Sequence, residues 1–214
     1  MALVKRLVIG LFFTLLMLVT IATLIGRVLY DPNPLQTLGF ELCAGIPCYR
    51  GLTPGVTLWF PAKQFMTDHG AVDDPAKDFM DFSLADEHIS AGTPFGAKYL
   101  MYIAVRNIRN AKASTTLKDA IVLFGVPCGV GSEYFPGTAT VYYPTATLNV
   151  LPVDHSLTPD SPLIYLELMD AKQTKRKDIN GNDSLCNGPG QAPWLGFTTL
   201  TRYRASGAVF LELD

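Results

Sequence analysis

Histidine is scarce in this chain, and the glycine patterns that cradle nucleotides are missing. The three histidines stand at positions 69, 88 and 155, each beside a carboxylate (Asp68, Glu87 and Asp154). No two of them fall at H-x-H or H-x-x-x-H spacing, so the sequence offers no recognisable zinc site. It also lacks a G-x-S-x-G elbow, a G-x-x-x-x-G-K-[ST] loop and a G-x-G-x-x-G turn. No catalytic, cofactor-binding or metal residue is assigned. Charge is sparse as well, at 17% of residues and a net of -2. Lys5, Arg6 and Arg27 are the only charged residues up to position 27, which leaves 14 basic against 19 acidic residues, about -5, for the rest. A mildly acidic surface has no electrostatic reason to hold phosphate backbones, and nucleic acid is excluded as a partner.

One near miss is Asp178-Ile-Asn180-Gly-Asn182-Asp183. A calcium loop needs glycine at position six and an acidic residue at position twelve, whereas glycine is at four here and Pro189 at twelve. Asn180-Gly181 reads more simply as a tight turn.

What the chain does have is a long apolar run. Leu7 to Ile25 contains no charged residue, and about 20 apolar residues match a bilayer core. Lys5 and Arg6 precede it, which favours a cytoplasmic N-terminus and an exported C-terminal domain. A cleaved leader is disfavoured, because a cut after Gly26 would put Leu24 where a small residue is needed. The expected organisation is a cytoplasmic tip and transmembrane helix over 1–27, a stem over 28–40, and an extracytoplasmic domain over 41–214. In the stem, Asp31-Pro32 and Asn33-Pro34 bias the chain to extended geometry. The localisation that follows is a single-pass cell-membrane protein, with the bilayer as one partner through residues 7–25.

All four cysteines lie beyond the span. An even number in an oxidising compartment points to disulfides, with three possible connectivities. The local pair Cys43–Cys48, which leaves Cys128–Cys186 as a long-range bridge, is the favoured set.

The domain reads as α+β, an antiparallel sheet with two helices on one face, tied by disulfides. Thr57 is placed to cap a helix over Leu58–His69, with Ala62, Phe65 and Met66 on its apolar face and Gly70 as its stop. A second helix covers Thr116–Phe124, where Leu117, Ala120, Ile121 and Phe124 recur at helical spacing, with Thr115 or Thr116 as cap and Gly125 as end. Phe79–Ile89 reads as a short strand. Lys98–Ile108 reads as a central strand, because both of its alternating sets are largely apolar. Thr138–Tyr143 and Thr145–Val153 form a hairpin, Leu163–Met169 is a strand, and Ala208–Leu213 could close the sheet. Trp194, Phe197 and Tyr203 are expected at the core edge. Asp170–Gly190 is a long polar loop carrying Lys172, Lys175, Arg176 and Lys177. It is a candidate partner contact on the strength of its length and charge, with a solvated insertion as the simpler reading.

The block Pro47-Cys48-Tyr49-Arg50-Gly51-Leu52-Thr53-Pro54-Gly55-Val56-Thr57 resembles a P-C-[WY]-x-G-[IL]-x-P-G-x-T block in uncharacterised single-span envelope proteins of Chloroflexi-type bacteria. Leu117–Pro127 and Trp194–Phe197 resemble two later blocks of the same proteins. The resemblance implies no activity. Separately, Gly55-Val56-Thr57 and Phe124-Gly125-Val126-Pro127 are similar to the start and end of a helix block in the small outer-membrane-assembly lipoproteins and the beta-lactamase-inhibitor-protein fold. That similarity implies helices on one face of an antiparallel sheet, a tandem repeat, and action by protein binding. The function expected is a membrane-anchored extracytoplasmic protein-binding or accessory/assembly subunit in the envelope. The alternatives are a hydrolase-like enzyme without a recognisable motif, and a ligand-binding sensor.

Overall fold

The computed structural model describes residues 11–21, 32–72, 78–84, 87–93, 97–106, 115–131, 137–170, 172, 185–186 and 188–209. The chain divides into two compact units, Met1–Pro32 and Asn33–Asp214.

In the first unit, residues 11–21 are helical (α1) and exposed throughout. Thr14 and Thr20 return their hydroxyls to the carbonyls of Leu11 and Leu16, at 2.9 and 2.7 Å, so the helix presents no unsatisfied hydroxyl. No helix among the described residues is long and apolar enough to cross a membrane. The remainder of the expected span Leu7–Ile25 lies outside the described residues.

The second unit begins earlier than the sequence predicts. Asn33 caps a one-turn helix α2 (Pro34–Thr37) by accepting from Leu35 N–H, and its amide donates to Asp119 O at 2.7 Å. Leu35 and Leu38 are buried. The stem expected over 28–40 is therefore corrected from Asn33 onward. Asn33 keeps the extended geometry that Pro34 imposes, with ψ 125°, and Pro34 at the first helical position then starts the turn that buries both leucines. Strands β1 (Phe40–Cys43) and β2 (Ile46–Tyr49) then form a hairpin. Ala44 and Gly45 both have positive φ, as a two-residue hairpin turn requires, and the Cys43–Cys48 disulfide closes it.

Helix α3 (Trp59–Asp68) buries Ala62 and Met66, with Phe65 packed beside them. Pro61 sits in its first turn, where no N–H is needed. Thr57 is not the cap: Leu58 holds that position, and the Thr57 hydroxyl accepts from Thr53 N–H at 2.8 Å, closing the Pro54-Gly55 turn. The single strand expected over Phe79–Ile89 is a pair, β3 (Phe79–Leu84) and β4 (Glu87–Gly92). β5 (Tyr102–Arg106) follows. Helix α4 (Leu117–Phe124) buries Leu117 and Ala120 and ends at Gly125, φ 86°. At its start the Asp119 carboxylate accepts from both the Thr116 N–H and hydroxyl, each at 2.8 Å. β6 (Gly129–Gly131), β7 (Ala139–Tyr142), β8 (Ala146–Val150), β9 (Leu163–Met169), β10 (Ala192–Pro193) and α5 (Leu200–Ala205) complete the described elements. Of the last strand expected over Ala208–Leu213, residues 208–209 are not strand and the rest lies outside the described residues. Tyr203 is buried and Trp194 packs against the core, whereas Phe197 is largely exposed against the Trp194 ring.

Eight strands form one antiparallel sheet in the order β10-β6-β7-β8-β9-β5-β4-β3. One row of paired residues crosses all of them: Phe82, Ile89, Val105, Leu166, Leu148, Val141, Val130 and Ala192. All eight are buried and join one hydrophobic cluster with Ala62 and Met66 of α3, Leu117 and Ala120 of α4, and Phe40 and Tyr49 of the hairpin. The helices and hairpin thus cover this face. At about 25 cal/mol per Å² of apolar surface, that burial is the main source of the unit's stability.

Candidate binding face

Side chains alternate along a strand, so the adjacent row points to the opposite face. That row is Asp81, Ser90, Ala104, Glu167, Thr147, Tyr142, Gly129 and Pro193. The next row on the same face is Ser83, His88, Arg106, Tyr165, Asn149, Thr140 and Gly131. Polar residues and tyrosines dominate here, whereas the first face is apolar but for Glu87, paired with Leu84 at the end of β4. Burial divides this second face. On β7 and β8 every residue is buried, with the Thr140 hydroxyl donating to Asn149 Oδ1 at 2.6 Å. On β3, β4, β5 and β9 it is open: Asp81, Ser83 and Arg106 are exposed, and Tyr102, Tyr165 and Glu167 half-buried.

The open part is electrostatically coupled. The Ser90 hydroxyl donates to Asp81 Oδ1, and Tyr165 donates to Glu167 Oε2 at 3.0 Å. Burial raises the Tyr102 phenol above its ordinary value, and Asp81 and Glu167 add to the rise against Arg106. Burial likewise raises Tyr165, with further contributions from the charge and hydrogen bond of Glu167, opposed by Arg106. Both phenols therefore remain neutral donors, the reverse of what a tyrosine nucleophile or base requires. Ser90 and Asp81 share the face with His88, but Ser90 gives its proton directly to Asp81. No imidazole relays it, so this is no hydrolytic triad. His88 Nδ1 is buried with no hydrogen-bond partner among the described residues.

At one end this face opens into a cleft of about 360 Å³, lined by Asp78, Phe79, Thr93, Met101, Tyr102, Met169 and Asp170. Two glycines shape its surroundings. A Cβ on Gly92 would lie 2.8 Å from Tyr102 Cε1 and 2.9 Å from both the Tyr102 hydroxyl and Phe79 Cβ, so the Tyr102 ring lies directly over the β4 backbone. Gly55 has φ +77°, and a Cβ there would lie 2.7 Å from the Asp170 carboxylate carbon. The Pro54-Gly55 turn, held to the sheet by Gly55 N–H to Leu100 O at 2.7 Å, thus backs one carboxylate of the cleft.

The residues selected from sequence are distributed as follows. Both expected disulfides, Cys43–Cys48 and Cys128–Cys186, are formed, and neither lines the cleft. Glu41, Cys43 and Cys48 converge closely enough to hold a cation, but both sulfurs are committed to the disulfide. His69 donates from Nδ1 to Phe65 O at 2.7 Å and stacks on the Phe65 ring, and His155 is exposed. Of the basic loop cluster, Lys172 is exposed with its N–H donating to Asp170 Oδ1, while Lys175, Arg176 and Lys177 lie outside the described residues, as does the Asp178–Asp183 segment. Sequence reasoning missed Asp81, Ser90, Tyr102, Arg106, Tyr165 and Glu167. Their only signal is the polar half of the alternation within β3, β4, β5 and β9, and it becomes a site only through strand register. No family model, curated protein or solved structure matches the chain.

Proposed function

We propose that this chain is a membrane-anchored extracytoplasmic binding module, and that the open face of β3, β4, β5 and β9 takes a protein partner. The observation that carries this reading is the asymmetry of the sheet: helices and hairpin seal one face, and the other presents half-buried tyrosines among Asp81, Arg106 and Glu167. Tyrosine and arginine on a rigid strand platform give large contact area with little ordering entropy, and they dominate measured binding hot spots. The apolar run Leu7–Ile25 and the two disulfides support an exported, anchored chain. The order of elements, a helix followed by an antiparallel meander and then the same again, supports the resemblance to tandem-repeat binding domains.

The test is a pull-down from gently solubilised membranes. The wild-type chain should recover a stoichiometric protein. A Tyr102→Ala/Tyr165→Ala/Arg106→Ala variant should lose it while keeping its unfolding transition. A second variant with Lys172, Lys175, Arg176 and Lys177 replaced by Ser, washed at two salt concentrations, decides whether the long loop is also in contact. Full recovery by the face variant would remove the sheet from the interface.

A further inference from the structure

We propose that the cleft at the end of the open face receives the guanidinium end of an arginine side chain presented by the partner. The inference rests on the binding-module reading and adds the chemistry of its anchor point. The cleft combines two kinds of wall. Phe79, Tyr102, Met101 and Met169 supply aromatic and thioether surface, which dominates the lining, and Asp78 and Asp170 are its two acidic residues. No basic side chain among the described residues lines it. The phenol of Tyr102 also lies within electrostatic range of Asp81 and Glu167, opposed by Arg106, so two carboxylates against one guanidinium leave the charge behind the same wall negative. A cleft that is negative and apolar together suits a cation that sheds its water readily. Guanidinium is more weakly hydrated than ammonium, stacks on aromatic faces, and presents several donors in one plane. Its charge-assisted hydrogen bonds to carboxylates are about twice as strong as neutral ones. Lysine is a poorer fit, because a compact, strongly hydrated ammonium loses more on entering apolar walls.

The carboxylates are held for the task. Asp170 rests against Gly55, and its Oδ1 accepts only from the exposed Lys172 N–H among the bonds described for it. The backbone carbonyl of Asp78 accepts from Thr93 N–H at 2.8 Å, which fixes that residue beside the cleft without using its carboxylate. Tyr102 is fixed as an aromatic wall because Gly92 leaves room for the ring on the β4 backbone.

The chain carries six methionines, and two of them line the cleft while Met66 and Met80 are sealed in the core. The full-length chain in detergent micelles, labelled at methionine methyls, is titrated with N-acetyl-arginine amide. Saturable shifts of the Met101 and Met169 methyls with Met66 and Met80 unmoved are expected, and they should weaken several-fold in Asp170→Asn and in Asp78→Asn. Titration with N-acetyl-citrulline amide, which has nearly the same shape but no charge, should shift nothing. Absence of saturable shifts at Met101 and Met169, equal shifts with the citrulline probe, or undiminished binding by both Asn variants would each overturn the assignment. Binding of the arginine probe needs no protein partner. A wild-type chain that binds the probe but recovers no protein therefore defeats the binding-module reading alone, and one that recovers its partner without binding the probe defeats the cleft alone.

Discussion

Removing the two disulfides separately should cost unequal amounts of stability, and the inequality follows from chain lengths. The entropic model assigns a bridge the loop-closure freedom it takes from the unfolded chain. Cys128 and Cys186 are 58 residues apart, which gives about 4 kcal/mol at room temperature. Cys43 and Cys48 are 5 apart, which gives about 2 kcal/mol. The native contacts around each bridge persist without it. Leu185 N–H donates to Pro144 O at 3.0 Å and Trp194 N–H to Cys128 O at 3.3 Å, and the β1–β2 ladder holds its hairpin. Alanine is the proper replacement, because Cys48 and Cys186 are buried and serine would leave a hydroxyl to satisfy. The assay is equilibrium urea unfolding of residues 33–214, with Cys128→Ala/Cys186→Ala and Cys43→Ala/Cys48→Ala compared with wild type. In thermal melts the long-range pair should lower Tm by about 8–16 °C and the local pair by about half that. If the local pair costs as much as the long-range pair, stabilisation does not come from the unfolded chain and the reasoning fails.

Four further outcomes are expected. Burial raises the Tyr203 phenol to about 12, so its contribution to stability is complete below pH 10 and lost as pH rises through 12; Tyr203→Phe should flatten that part of an alkaline unfolding profile. Asp119→Ala, which removes the carboxylate accepting from Thr116 N–H and hydroxyl, should cost about 1 kcal/mol in urea unfolding. Gly55→Ala should destabilise by more than 1 kcal/mol through its positive φ and the collision with Asp170, and by measurably less in an Asp170→Ala background, which a double-mutant cycle reads directly. The intact mass of the mature protein should include Leu7–Ile25; a mature N-terminus after position 26 would refute the anchor.

The elements that were legible in sequence are those whose signal is local. β9 has the predicted bounds, α4 starts within one residue of its prediction, and β5 is interior as expected, paired with β4 and β9, although one of its faces stays open. The features that were not legible depend on distant residues. Helix α2 is a single turn that stands because Leu35 finds the core, and nothing nearby announces it. Thr57 has the composition of a cap, but the Thr53 N–H takes its hydroxyl first. Gly129-Val130-Gly131 is too short and too glycine-rich to read as a strand, and it pairs because the β7 edge is presented to it. The candidate site is the extreme case. Asp81, Ser90 and Glu167 are ordinary polar residues in three separate segments, and only register places them in one row.

The same register explains why the cleft opens at one end of the face and not the other. Each half of the domain is a helix followed by an antiparallel meander, α3 with β3–β5 and α4 with β6–β9, and the last strands of the two halves pair at the seam. Their sequences correspond: Tyr102-Ile-Ala-Val-Arg on β5 and Tyr165-Leu-Glu-Leu-Met on β9. The Ala104–Glu167 pair lies at the centre, and each tyrosine stands two residues before it. An approximate two-fold axis through that pair would exchange Tyr102 with Tyr165. The difference lies in their outer neighbours. Tyr102 is flanked on β4 by Gly92, and its ring lies across the bare backbone there. Tyr165 is flanked on β8 by Asn149, a buried side chain already bonded to Thr140. With that direction blocked, the Tyr165 hydroxyl reaches back along its own strand to Glu167. One residue, glycine in the first half and asparagine in the second, thus decides which tyrosine becomes the wall of a cleft and which becomes a strut for the central carboxylate.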